Sequence, residues 1–128
     1  MAAEYRCLSP LLARHPRQVL AAHAGMGPER AQCASRRLVE AGAAALVSFG
    51  FAGGLDPALG AGTLIVVAEV SEPGGRRVGT LAPVFPEGLL DGLGGRKLLT
   101  APAEVESVSE KAAVRAATSA SAVDLESF

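Results

Sequence analysis

Apolar and polar positions divide this chain into alternating short elements. Residues 18–24 (QVLAAHA) are mostly apolar and predict a strand that stops at Gly25-Met26-Gly27-Pro28. Residues 29–41 then change period. Ala31, Ala34, Leu38 and Ala41 fall on one stripe, while Arg30, Arg36, Arg37 and Glu40 lie mostly off it. That is an amphipathic helix, started by Pro28 in its first turn and stopped at Gly42. Residues 43–49 (AAALVSF) have almost no polar face, the pattern of a strand covered on both sides. The run breaks into Gly50-Phe51-Ala52-Gly53-Gly54. Strand, turn, helix, strand and glycine-rich turn in that order predict a βαβ unit.

Further strands are expected at 63–70, 76–81, 97–100 and 120–125, with a turn at 72–77. Helices are expected at 109–118, capped by Ser109, and as a short piece at 87–93. The opening residues 1–17 predict only a short helix around Leu8, Leu11 and Leu12, interrupted by Pro10 and Pro16. The sum is an α/β protein with a mixed central sheet, read as a single domain over 1–128. In open α/β sheets ligands sit at the carboxyl ends of strands. The glycine-rich 50–54 break is therefore a candidate ligand cradle, because glycine lets another group approach the backbone.

Composition narrows the partners. The chain has 128 residues, 49% of them hydrophobic and 20% charged, enough apolar content for a core. A net charge of -1 supplies no basic field for a nucleic acid. No Trp, one Tyr and four Phe give no base-stacking platform of the single-strand-binding kind. Cys7 and Cys33 form no CxxC pair and read as reduced thiols, which points to the cytoplasm. No apolar run reaches the roughly 18 residues of a membrane span. His15, His23 and the cysteines have no metal-ligand spacing, so neither metal nor other cofactor is indicated. Ser48 and Ser127 lack the context of a hydrolase nucleophile.

Three segments carry a resemblance. They are the Gly25-Met26-Gly27 turn with its helix, the run Ser48-Phe49-Gly50-Phe51-Ala52-Gly53-Gly54-Leu55 leading through Gly62 to a strand, and Val123-Asp124-Leu125-Glu126-Ser127. Their order, and the spacing of the first two, resemble the nucleoside phosphorylase/nucleosidase family, which includes purine nucleoside phosphorylases and methylthioadenosine/adenosylhomocysteine nucleosidases. The resemblance implies a three-layer phosphorylase/hydrolase-like fold and cleavage of the N-glycosidic bond of a purine nucleoside by water or phosphate. Phosphate would be a co-substrate, and a complete domain would be a homo-oligomer. The resemblance places Gly25 and Gly27 at the anion side, where amides at a helix N-terminus suit an oxyanion. Phe51, Ala52 and Gly53 line the base and ribose, and Val105 belongs to a segment flanking the purine. Leu125 and Glu126 match the ribose-binding motif, with the Glu126 carboxylate accepting from the ribose diol. Glu4 matches a catalytic acidic residue at the end of a first strand.

The AGGL and VDLES segments are especially similar to a branch found beside hopanoid biosynthesis genes, which is thought to remove adenine from adenosylhopane. Phe51 stands where many relatives have a small polar residue, and it suits a greasy 5′ substituent. Relatives continue into a loop whose Asp protonates the leaving purine. Residues 1–128 hold no counterpart, so the expectation is a partial domain with its C-terminal part missing and weak or absent turnover. Two other readings stay open. One is a non-catalytic remnant or interaction module. The other is a dinucleotide-binding domain, although the GxGxxG spacing is not met after residue 50.

Overall fold

The computed structural model describes residues 2–79 and 95–127. The chain divides into two compact units, Met1–Phe51 and Ala52–Phe128.

The first unit holds two helices, α1 (Ala2–Arg14) and α2 (Pro28–Glu40). The stripe in α2 is half-buried as its spacing predicts, at Ala31, Ala34 and Leu38. Its ends follow local chemistry. Pro28 occupies the first helical turn, where a missing N–H costs nothing. Gly42, at φ 95°, closes a Schellman motif: its N–H donates to Val39 O (2.9 Å) and that of Ala43 to Leu38 O (3.0 Å). Helix α1 runs through Pro10 and stops before Pro16, so the expected interruption occurs only at the second proline.

Two expected strands are absent. Residues 18–24 and 43–49 form no β-ladder, and residues 44–50 are exposed. The predicted βαβ unit at 18–50 is thus corrected to a helix flanked by irregular chain. Apolar content favours a strand only where a neighbour accepts its backbone hydrogen bonds. Neither run has that neighbour among the described residues.

The second unit contains the sheet. Five strands, β1 (Gly53–Gly54), β2 (Val67–Ser71), β3 (Arg77–Gly79), β4 (Arg96–Thr100) and β5 (Ala122–Asp124), lie in the order β1-β5-β4-β2-β3. The sheet is mixed, as expected. β4 runs parallel to both β2 and β5, while β1 and β3 are antiparallel edges. The strand expected at 63–70 begins only at Val67 and extends to Ser71. A turn, with Gly75 N–H donating to Glu72 O (2.9 Å), returns it into β3. Helix α3 (Val108–Thr118) connects β4 to β5, so the β-α-β arrangement appears here rather than at the front of the chain. Its cap is Ser107, two residues before the expected Ser109. Ser107 Oγ accepts from Glu110 N (3.1 Å), and Glu110 Oε2 accepts from Ser107 N (3.0 Å), a capping box. The helix expected at 87–93 lies outside the described residues.

Leu55, Leu99, Ala101, Ala120 and Val123 form the buried cluster of this unit, with Val105, Val114 and Leu125 packed against it. The cluster draws on the strand ends, the segment after β1 and α3. It therefore fixes the carboxyl ends of β4 and β5 relative to β1.

Candidate functional site

Five of the residues named from sequence belong to the second unit: Ala52, Gly53, Val105, Leu125 and Glu126. The sheet brings their segments together. Gly53 pairs with Val123 and Gly54 with Ala122. The N–H groups of Leu55 and Asp56 both donate to Ser121 O, at 3.0 and 3.1 Å, extending that junction. A Cβ on Gly53 would lie 3.3 Å from Val123 Cγ1, so the glycine permits this close strand approach. The 50–54 glycines thus enter a strand and not a helix N-terminus, which removes the structural basis of the dinucleotide-binding reading.

Past β5 the chain bends at Leu125 and Glu126. Leu125 and Val105 both pack on the buried cluster, so their side chains are engaged in the core. Glu126 is half-exposed within the bend. The bend is held by Asp124. Its carbonyl accepts from Ala101 N (2.8 Å), its Oδ1 accepts from Thr100 Oγ1 (2.8 Å), and its Oδ2 accepts from Ser127 Oγ. Thr100 and Asp124 are register partners at the carboxyl ends of parallel strands. That is the position at which open α/β sheets bind ligands.

At the amino ends of β4 and β5 lies a charged junction that the sequence did not reveal. Asp56 Oδ1 accepts from Ala58 N (3.0 Å), an Asx-type turn at Asp-Pro. The same oxygen lies 2.5 Å from Arg115 Nη1 on α3, and Oδ2 lies 3.7 Å from Arg96 Nη1 on β4. The Arg115 guanidinium paired with it, then the hydrogen bond from Ala58 N, holds the Asp56 carboxyl below the usual carboxylate range. The Asp-Pro turn is legible in the sequence. The arginine partners come from distant positions, and no local pattern pairs them.

The first unit holds Glu4, Gly25, Gly27 and Phe51. Glu4 lies in the first turn of α1, so the expectation that it ends a strand is corrected. Its Oε1 accepts from Phe51 N at 2.9 Å, and that bond holds its carboxyl below the ordinary value against a smaller opposing effect of burial. Gly50 allows the carboxylate in, since a Cβ there would lie 3.0 Å from Glu4 Oε1. Phe51 is 67% exposed, so it does not fill the core.

Gly25 and Gly27 have φ of 85° and 98°, a left-handed path that suits glycine and turns the chain into α2. Gly27 is the N-cap and brings no side chain to satisfy the first-turn amides. Beside it is an open cleft of about 230 Å³ lined by His23, Arg30, Cys33 and Arg37 together with small residues. The Arg30 guanidinium folds over the turn, 3.2 Å from where a Gly25 Cβ would stand. Arg30 and the helix end bring positive charge to the turn, and Glu29 in the same first turn offsets it, while Arg37 lies in the last turn of α2. His23 faces Tyr5 edge-on, with ring centroids 6.5 Å apart. Among the described residues no cluster has the side chains to hold a metal ion, and no helix is long and apolar enough to cross a membrane.

The family model of the phosphorylase superfamily matches residues 10–125. The chain belongs to the phosphorylase superfamily. The match includes the Gly25–Gly27 turn, the 50–54 glycines, the whole described sheet and the start of the bend. Glu4 precedes the matched region, and Glu126 follows its last residue directly. No curated protein and no solved structure matches the chain. Membership agrees with the α/β architecture and with a mixed sheet, and it supports nucleoside phosphorylase or nucleosidase-like, glycosyl-bond-cleaving chemistry as a class.

Proposed function

We propose that this phosphorylase-superfamily chain binds a purine nucleoside at the carboxyl end of β4 and β5 and serves cleavage of its N-glycosidic bond. One observation carries the reading. β1 pairs with β5, which sets the Ala52-Gly53 segment one strand away from the bend bearing Glu126. In this reading the backbone at Ala52-Gly53 and Val105 flanks the base. Glu126 accepts hydrogen bonds from the 2′- and 3′-hydroxyls.

The C1′–N bond breaks with its electron pair leaving on the base. Water or phosphate then forms the new bond at C1′, and the proton that the nucleophile gives up balances the one that the departing base takes up to leave as neutral adenine. Positive charge grows on the sugar ring in between, and a nearby carboxylate stabilises it. Within the first unit, the Gly25–Gly27 turn with Arg30 is a candidate anion-binding element, compatible with phosphate as co-substrate. Within the first unit, the Phe51 N–H holds the Glu4 carboxyl in its ionised form, which suits an acceptor better than a proton donor. The exposed Phe51 ring supports an apolar 5′ substituent, as on adenosylhopane. A cytoplasmic protein acting on a small nucleoside fits the composition.

The test follows free adenine released from adenosine by the full chain, with and without phosphate, beside Glu126→Gln. The expected result is slow adenine formation, in keeping with the weak turnover expected of this chain, that falls below detection in the variant, the direction expected when a transition-state carboxylate is lost. An unchanged rate in Glu126→Gln would remove Glu126 from the site. A 5′-alkyl adenosine that gains nothing over adenosine would remove the apolar-substituent part.

A further inference from the structure

Asp124 is the point on which the bend depends. Its carboxylate meets two hydroxyl donors, one at each oxygen: Thr100, 7% exposed at the end of β4, and Ser127, three residues on. Its carbonyl is tied to Ala101 N. Between these anchors the chain has only Leu125, seated on the core, and Glu126. The backbone of Glu126 is therefore fixed on one side by the β4–β5 junction and on the other by the Ser127 tie. A carboxylate accepts at both oxygens and matches two O–H donors. An amide would present its NH₂ to one of them and lose that match.

We propose that Asp124 is a positioning residue, which aims Glu126 at the ribose diol by closing the bend through Ser127 and Thr100. This rests on the reading of Glu126 as the diol-binding carboxylate. Asp124 itself touches no substrate. Its effect is the geometry of its neighbour, so its loss should alter discrimination of the diol more than general affinity.

The experiment measures dissociation constants of adenosine and of 2′,3′-dideoxyadenosine for the full chain and for Ser127→Ala, Asp124→Asn and Asp124→Ala, with a thermal melt of each. The wild type should prefer adenosine. Ser127→Ala cuts the tie and leaves the β4–β5 pairing intact. It should reduce that preference about tenfold while dideoxyadenosine affinity changes less than about twofold, the scale of a misplaced charge-assisted hydrogen bond. Asp124→Asn should show a smaller loss than Asp124→Ala if the latter folds. A preference that survives in Ser127→Ala and Asp124→Asn overturns the positioning role and leaves the function standing. Equal weakening of both nucleosides with a lowered melting temperature makes the role purely structural and also overturns it. A wild type that binds neither nucleoside, or both equally, overturns the diol reading of Glu126 and this inference with it.

Discussion

Carboxylates at single positions organise much of this molecule. Asp56 ties the segment after β1 to Arg115, Glu110 closes the cap of α3, and Glu4 accepts from Phe51 N. Each is held below its ordinary value: Asp56 chiefly by Arg115, Glu110 by the Ser107 backbone and Glu4 by the Phe51 backbone. The ionised form is therefore favoured in the folded state. The contribution is complete above the unfolded values of 4.5 for Glu and 3.8 for Asp, and it disappears as pH falls through the lower folded values. Urea melts should lose stability as pH drops below about 4.5, and Asp56→Asn should flatten part of that slope. A slope identical in wild type and variant would show that the Asp56 pairing contributes nothing measurable. At this scale the sequence was a mixed guide. Asp124, named from sequence only as part of the 123–127 segment, is bonded to Thr100 and Ser127. Glu4 read as a strand end because the family resemblance suggested one, and it lies instead in a helix. Asp56 carried only its local Asx signal, since its cationic partners are close in space and far apart in sequence.

Helix ends were legible because their chemistry is local. Pro28 and Gly42 marked α2, and the 109–118 helix was found within a residue of its start. Strands were legible only where the fold gave them neighbours. β4 and β5 matched closely, whereas the most apolar run, 43–49, formed none. An apolar run states what a segment would bury and leaves unstated which backbone will pair with it. Two substitutions test the account of α3 from opposite ends. Ser107→Ala removes the cap acceptor and should cost about 1 kcal/mol. Ser119, at φ 57°, holds a left-handed C-terminal position that glycine occupies without a Cβ penalty. Ser119→Gly should therefore stabilise by several tenths of a kcal/mol. Chemical denaturation of both variants checks the pair. A neutral Ser107→Ala would mean the capping box is not holding the helix start.

At the scale of the whole molecule, the described sheet resides in the second unit, and so do Ala52, Gly53, Val105, Leu125 and Glu126. Membership of the phosphorylase superfamily supports glycosyl-bond-cleaving chemistry as a class. β1 is only two glycines long, yet it joins the 50–54 segment to β5. That junction could not be read from sequence, because two glycines carry no strand pattern of their own.

The most direct measurement is an amide NMR titration of the full chain with adenosine, with 2′,3′-dideoxyadenosine as control. The account predicts shifts concentrated at Gly53, Thr100, Ala101, Leu125 and Glu126, with those at Leu125 and Glu126 much reduced for the control. Saturable shifts confined to the β2–β3 edge, or shifts at Glu126 that ignore the ribose hydroxyls, would contradict it.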